Sequence, residues 1–452
     1  MGYSEKYRWL RIQHKFKPWL NDEEIEMVRT IRDYMQERVK PRVWELEGAH
    51  HDRDWDSACD FVAEIGSDLT KLGWQQMGIP EEYGGITVSL ACRLAMGEEI
   101  ARVDLPLSSQ IGKVAWMCGP IFQSKNEVLK KMMAEKVCGD DFWLGCVCMT
   151  EPQGGVSAED ITLHGRTLDV VAEMDRSDRY VLNGEKVFPG PSGPAEIWHR
   201  ENLKGHLGYI VLAATEPDKD KRGWDTIGLF YVPPDAKGLS FSNPYELMGC
   251  TMDRNCHIYL DDVKIPKEYR IAGPGFDAAL YYTLVAASRL GIAARLTGAA
   301  AGLFEKALDQ ASVREIEGRP LREYSLWADM LGQMAERVFA SRAAYFYATS
   351  AILNPQVYGN IWDQDGPNGI AAGMKAIAGR TFRYVADRTM EIFCGQGYCC
   401  EFGVEKMVRD GQMAILGPGG HQRENLDMSL LFYSRTWSDL APEFERWKPQ
   451  AQ

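Results

Sequence analysis

DVVAEMDRSDRYVLNGEKVF, residues 169–188, reads as two short strands rich in β-branched and aromatic residues. Asn183-Gly184 is the strongest hairpin signal in the chain, because a two-residue turn of this kind needs φ > 0 at both positions. The same texture runs through GYIVLAAT (208–215), TIGLFYV (226–232) and CHIYLDDVKIP (256–266), each bounded by turn residues. Strands of this length and spacing predict a compact β-barrel or sandwich over 145–267.

Outward from this region the hydrophobic period changes. Upstream, Asn21 with Glu24 reads as a capping box, and Ile25, Val28, Ile31, Met35 and Val39 follow at helical spacing. A Pro-Gly break, GIPEEYGG at 78–85, separates this helix group from one ending in GEEIARVD. Downstream, VAASRLGIAARLTGAAAGLFEKALDQASVRE is rich in small residues that permit close helix packing. LREYSLWADMLGQMAERVFASRAAYFYATSAI places Leu326, Met330, Met334 and Val338 on one stripe, and a third helix runs through AAGMKAIAGRTFRYVADRTMEIF. The predicted fold is α+β: a helical domain at 21–144, a β domain at 145–267, and a C-terminal four-helix bundle at 275–437.

Lys+Arg 51 against Asp+Glu 64 gives a net charge of −13 over 452 residues, which argues against nucleic acid or an anionic membrane as a general partner. Eleven cysteines without a CxxC pair suggest buried thiols in a reducing compartment. No HExxH or comparable spacing appears, so no metal is expected. The basic, aromatic N-terminus has no apolar core of a signal peptide. The apolar run near 284–304 is broken by Arg289 and Arg295, so a buried helix is expected and not a membrane span. The expectation is a soluble cytoplasmic protein.

Five motifs in order carry a resemblance: PEEYGG (80–85) with GEEIAR (97–102), CMTEP (148–152), MGC (248–250) followed by YLDDVKIP (259–266), CGQGY (394–398) and EFGVEKMVRD (401–410). Together they resemble the acyl-CoA dehydrogenase family along nearly the whole chain beyond residue 20. The resemblance implies FAD as cofactor, an acyl-CoA substrate desaturated between Cα and Cβ, hydride transfer to flavin N5, and an electron-transferring flavoprotein as acceptor. It also implies a homo- or hetero-oligomer, dimer or tetramer, because cofactor-binding groups serve the neighbouring subunit.

The resemblance assigns Met149 and Thr150 to the flavin edge, Arg314 to the pyrophosphate across a subunit interface, and Gly395, Gly397 and Gln422 to the cofactor. A guanidinium suits phosphate oxygens because its fork of donors fits them. Several positions depart from the pattern. Phe188 stands where a tryptophan packs on the flavin, and Gly190 where a threonine hydroxyl meets N5. In the loop containing Gly155, Val156 replaces a serine, leaving Ser157 displaced by one as a substrate contact. Glu391 replaces a glutamine, Glu317 a phenylalanine. Arg289 is expected beside the substrate.

The catalytic base is missing. The loop position is Pro418, or Leu416 in an alternative register, and the helix position is Ser288; none is a carboxylate. Candidate replacements are His421, which can titrate near neutrality, and the carboxylates Glu424, Glu98 and Glu99. Other readings are a substrate whose α-proton needs little help, a partner subunit that supplies the glutamate, and an oxygen-using flavoenzyme on the same scaffold. A general base is typically worth about 10²–10⁴-fold, so its loss slows desaturation without abolishing it. The Pro418 loop would also leave space for a bulky or cyclic acyl group.

Overall fold

A computed structural model of the chain describes residues 10–17, 19–47, 54–153, 163, 165–354 and 366–433. The order is helices, one sheet, then helices again. The first group is α1 (Ile12–Phe16), α2 (Asp22–Tyr34), α3 (Trp55–Lys71), α4 (Leu90–Ala101), α5 (Leu105–Gln123) and α6 (Glu127–Val137). The capping box forms: Asn21 Oδ1 accepts from the Glu24 N–H at 2.9 Å, and Glu24 Oε2 accepts from the Asn21 N–H at 3.2 Å. All five residues of the predicted stripe are buried, but α2 stops at Tyr34. The backbone widens to a π turn at Met35–Val39 and tightens to a 3₁₀ turn at Lys40–Leu46. Pro41 lacks the N–H that would continue the α-helical ladder.

The strands are β1 (Trp143–Cys148), β2 (Val171–Met174), β3 (Arg179–Lys186), β4 (Gly205–Ala214), β5 (Ile227–Val232), β6 (Leu239–Phe241) and β7 (Ile258–Pro266). They form one seven-stranded sheet, ordered β1-β4-β2-β3-β7-β6, with β5 also pairing β4. β4 runs parallel to β1 and β2; the other pairings are antiparallel. Side chains alternate across it. Tyr209, Val211 and Ala213 of β4 join Cys146, Leu182, Phe230 and Val263 in a core of the sheet alone. Leu207, Leu212 and Ala214 face the other way, against Val114, Met117 and Ile121 of α5.

Asn183-Gly184 is not a hairpin turn. Both residues lie inside β3, opposite β7, where the register shifts between Leu182 and Gly184. Asn183 Oδ1 accepts from the Asp262 N–H at 2.8 Å, and Asp262, not Asn183, carries the positive φ of 50°. The pair makes a bulge, with two β7 residues opposing one on β3. The β2–β3 turn falls at Asp175–Asp178, closed by the Asp175 carboxylate accepting from the N–H groups of Ser177 (2.8 Å) and Arg179 (3.1 Å).

The C-terminal group comprises α7 (Phe276–Val313), α8 (Ser325–Leu353), α9 (Gly366–Phe393), α10 (Gly395–Tyr398), α11 (Val404–Leu416) and α12 (His421–Tyr433). α7 is the spine. A Cβ on Gly298 or Gly302 would collide with the carbonyl oxygens of Glu98 and Arg102, so these glycines let α7 and α4 approach backbone to backbone. Leu326 departs from its predicted stripe: it is exposed, while Met334 and Val338 are buried. Seven cysteines are buried thiols, but Cys394, Cys399 and Cys400 are exposed.

Candidate active site

The strand end at CMTEP is fixed by a buried ion pair absent from the sequence reading. Lys186 Nζ meets Glu151 Oε1 at 2.6 Å and donates to the Met149 carbonyl at 3.0 Å. Glu151 also accepts from the backbone N–H groups of Asp169 and Val170. Burial pulls the Lys186 pKa down, and Glu151 opposes that fall. The Val187 N–H donates to the Thr150 carbonyl at 2.9 Å, so Met149 and Thr150 are clamped against the end of β3. The signal was legible as charge inside two strand patterns, TEP and GEKVF.

Beyond β3, Phe188 is 61% exposed with φ 63°, its ring 5.3 Å from Tyr245. It offers an aromatic face outward, as a flavin-packing residue must. A Cβ on Gly190 would stand 2.5 Å from Asn255 Nδ2 and 2.6 Å from Asp253 Oδ1. The missing side chain is therefore replaced in space by two polar ones. Asp253 is itself held by Gln110 Nε2 (2.6 Å) and Lys113 Nζ (2.7 Å) from α5. Gly155 and Ser157 lie outside the described residues.

Arg314 caps α7 and lines a surface cleft of about 530 Å³ with Gln310, Phe393, Gly395 and Gln396. Its Nη1 donates to the Ile392 carbonyl at 3.1 Å. Neither glycine of CGQGY has positive φ; that strain falls on Cys394, at 53°. Gly395 faces open space, whereas a Cβ on Gly397 would press on Phe393 and Met390. Glu391 is exposed and paired with Arg388 at 2.7 Å. Gln422 is exposed in the first turn of α12. Among the described residues none of the sheet lines this cleft, so they do not bring the Thr150 edge and the Arg314 cleft together there. The exposed guanidinium cleft fits phosphate oxygens and the Met149–Thr150 edge beside Phe188 fits a planar ring, so the donor set suits FAD.

The base positions hold no carboxylate. Ser288 and Pro418 are both partly buried, and Leu416 is exposed. Lys375 Nζ reaches the carbonyls of Ile415 (3.2 Å) and Gly419 (2.6 Å) and pairs with Glu424, pinning the Pro418 loop from beneath. Arg289, expected beside substrate, is 1% exposed and meets Asp427 Oδ2 at 2.8 Å; Arg423 meets the other oxygen at 2.8 Å.

The carboxylate candidates sit in ion pairs. Glu98 accepts a bidentate grip from Arg342 and a hydrogen bond from Tyr345 at 2.6 Å. Glu99 meets Lys15, Arg32 and Arg102. Burial would raise the Glu99 pKa, but Arg32, Lys15 and Arg102 hold it well below the usual range. Glu98 is lowered likewise against its burial by Arg342 and Lys15. Both carboxylates are fully buried cross-links between α4 and other helices, a poor setting for proton abstraction from a ligand. His421 lies against Gly379 of α9, where a Cβ would collide with its Nε2. Burial, with Arg383, Arg380 and Lys375 nearby, depresses its pKa to about 4, so it is neutral at pH 7. Among the described residues no His/Cys/Asp/Glu group could hold a metal, and no helix is long and apolar enough to cross a membrane.

Comparison with known proteins matches this arrangement throughout. Residues 21–140, 146–263 and 273–429 match, respectively, the N-terminal, middle and C-terminal domains of acyl-CoA dehydrogenase. The chain is 27% identical over 394 residues to a glutaryl-CoA dehydrogenase of Desulfococcus multivorans, covering 86% of this chain and 90% of that one. It is 24% identical over 423 residues to an acyl-CoA dehydrogenase of Bacillus subtilis, covering 91% and 98%. Butyryl-CoA dehydrogenase from Megasphaera elsdenii superposes with a TM-score of 0.75 at 22% identity, over 91% of this chain and 98% of that one. The chain belongs to the acyl-CoA dehydrogenase family, the FAD-dependent oxidoreductases that act on acyl-CoA thioesters.

Proposed function

We propose that the chain desaturates a CoA thioester between Cα and Cβ as an assembly of at least two copies, with no carboxylate of its own at either usual base position. The observation that carries the reading is the separation of the two cofactor-fitting surfaces. The Arg314 cleft opens outward and is lined by residues at the ends of α7, α9 and α10 and in the turn before α11, while the Met149–Thr150 edge follows β1 of the sheet. A second copy would supply to each flavin the phosphate-binding half that its own sheet lacks. FAD held between them would supply an acceptor for the β-hydride, with an electron-transferring flavoprotein as the onward electron acceptor.

This chain's own residues set the rest. The Lys186–Glu151 pair fixes the edge that meets the ring, and Phe188 presents its face there. The Cα proton passes to solvent water, eased by the thioester's own acidity, because Glu98, Glu99 and Glu424 are committed to ion pairs and His421 turns toward α9. An acyl group that delocalises an α-carbanion is therefore the favoured substrate. The missing base also favours a second reading, in which a related chain completes the site in a mixed oligomer.

Flavin content and oligomer size test both. The first reading expects a homo-oligomer with one flavin per chain, and an Arg314→Glu variant that keeps its helical content but loses flavin. A monomer holding a full complement of flavin would refute it. Substoichiometric flavin, restored only by a related chain, would favour the mixed oligomer.

A further inference from the structure

Arg295 breaks the apolar run of α7. Arg289, Arg342 and Arg102 each meet a carboxylate. Among the described residues Arg295 meets none: its Nε donates to Ser108 Oγ at 3.3 Å, and its two terminal nitrogens donate to no residue. Burial lowers its pKa to about 10, so it stays a cation, with no compensating charge among the described residues. A largely buried guanidinium with no counter-charge among the described residues costs stability, and such groups cluster at ligand sites.

The space around Arg295 is built. A Cβ on Gly112 of α5 would collide with its Nη2, and one on Gly291 of α7 would stand 3.2 Å from Nη1. The two glycines leave a slot that the guanidinium fills. From 288 to 302, only Ser288, Gly291, Ile292 and Arg295 keep solvent exposure; every other residue of that stretch is buried. Spaced i, i+3, i+4 and i+7, they form one stripe along the helix. The facing helix shows the same pattern, with Ser109, Gly112, Lys113 and Trp116 partly exposed. Two such stripes, meeting where Gly112 touches Arg295, outline a groove between α5 and α7. One end of its wall is Ser288, the helix base position. The other is Arg295, seven residues on and therefore about 10 Å along the axis. Lys113 of the same groove reaches Asp253, beside Gly190.

We infer that this groove takes a CoA thioester whose acyl chain ends in a carboxylate, bound by the free fork of Arg295. The inference rests on the proposed acyl-CoA site and adds the class of acyl group to it. Paired N–H donors at the slot's end match the two oxygens of a carboxylate, and the partner that α5 and α7 do not supply arrives with the ligand. A purely aliphatic chain would leave the cation desolvated and unpaired, so the groove discriminates against it.

Calorimetric binding of adipyl-CoA and hexanoyl-CoA, which have equal chain length, to the protein as purified tests this without requiring turnover. Wild type binds adipyl-CoA more tightly by about 10- to 100-fold, the range for hydrogen bonds to a charged group. Arg295→Met erases that preference, and Arg295→Lys retains part of it because charge survives while the fork is lost. Removing a partly exposed charge that no described carboxylate pairs does not endanger the fold, and the wild-type comparison needs no variant at all. Equal binding of the two esters, or a preference that survives Arg295→Met, overturns this inference while leaving the acyl-CoA site standing. Failure to bind either ester overturns both readings together.

Discussion

Replacing Lys186 with Met isolates the element that holds the flavin-facing strand end. The side chain is fully buried, its Nζ 2.6 Å from Glu151 and 3.0 Å from the Met149 carbonyl. Removing one partner of a buried ion pair costs about 3–5 kcal/mol, because the other charge is left without compensation. Glu151 keeps two backbone N–H donors, from Asp169 and Val170, which places the loss near the lower limit, about 3 kcal/mol. The Met149 carbonyl loses its donor as well, worth about 1 kcal/mol. In the double variant Glu151→Gln/Lys186→Met no charge remains and the amide oxygen still accepts from the backbone. Its cost falls below the sum of the single losses by about 2 kcal/mol or more. Urea unfolding followed by circular dichroism gives the four corners of this cycle, and flavin fluorescence reports release of the cofactor in the same samples. A Lys186→Met loss under about 1 kcal/mol, or strict additivity, would refute the role given to the pair.

Three further outcomes concern ionisable side chains. Arg289→Ala is expected to destabilise the chain by about 3 kcal/mol, not merely slow turnover, since Asp427 then keeps Arg423 as its remaining described cation; a melting temperature equal to wild type would contradict this. His206 is buried, its Nε2 3.1 Å from the Pro191 carbonyl and its Nδ1 accepting from the Gly208 N–H at 3.0 Å, and burial depresses its pKa to about 3. The folded state then binds fewer protons than the unfolded one below the ordinary value of 6.5. Its contribution is accordingly lost as pH falls from 6.5 toward 3, by about 3 kcal/mol at pH 4.5. His206→Asn should therefore show a shallower acid loss in urea midpoints between pH 7 and 4.5; an equal slope would remove His206 as the cause. His421→Ala is expected to keep the rate of flavin reduction within about threefold, well short of the 10²–10⁴-fold owed to a general base, and a loss in that range would make it the base after all.

What the sequence revealed depended on whether the decisive forces were local. The Asn21–Glu24 cap formed as written, because both partners lie within one turn. The glycine-rich face of α7 was readable for the same reason, and Gly298 and Gly302 realise it against α4. Asn183-Gly184 misled because its signal is shared by turns and bulges. Pairing with Asp262, 79 residues away, decided between them. Cofactor positions were assigned through motif order, yet motif order says nothing of charge compensation. Glu98 and Glu99 looked like free carboxylates until Arg342, Lys15 and Arg32 arrived from distant helices. Arg295 was visible only as an interruption of an apolar run. That no described residue supplies its counter-charge is a property of two helix faces packed together, invisible along either one.

The most direct measurement is anaerobic titration of the purified oligomer with a panel of CoA thioesters, following the flavin absorbance. Stoichiometric bleaching of the yellow absorbance by at least one ester, without oxygen or a second protein, is the predicted result. A colourless protein that cannot take up FAD, or a flavin that no thioester bleaches, would contradict the account.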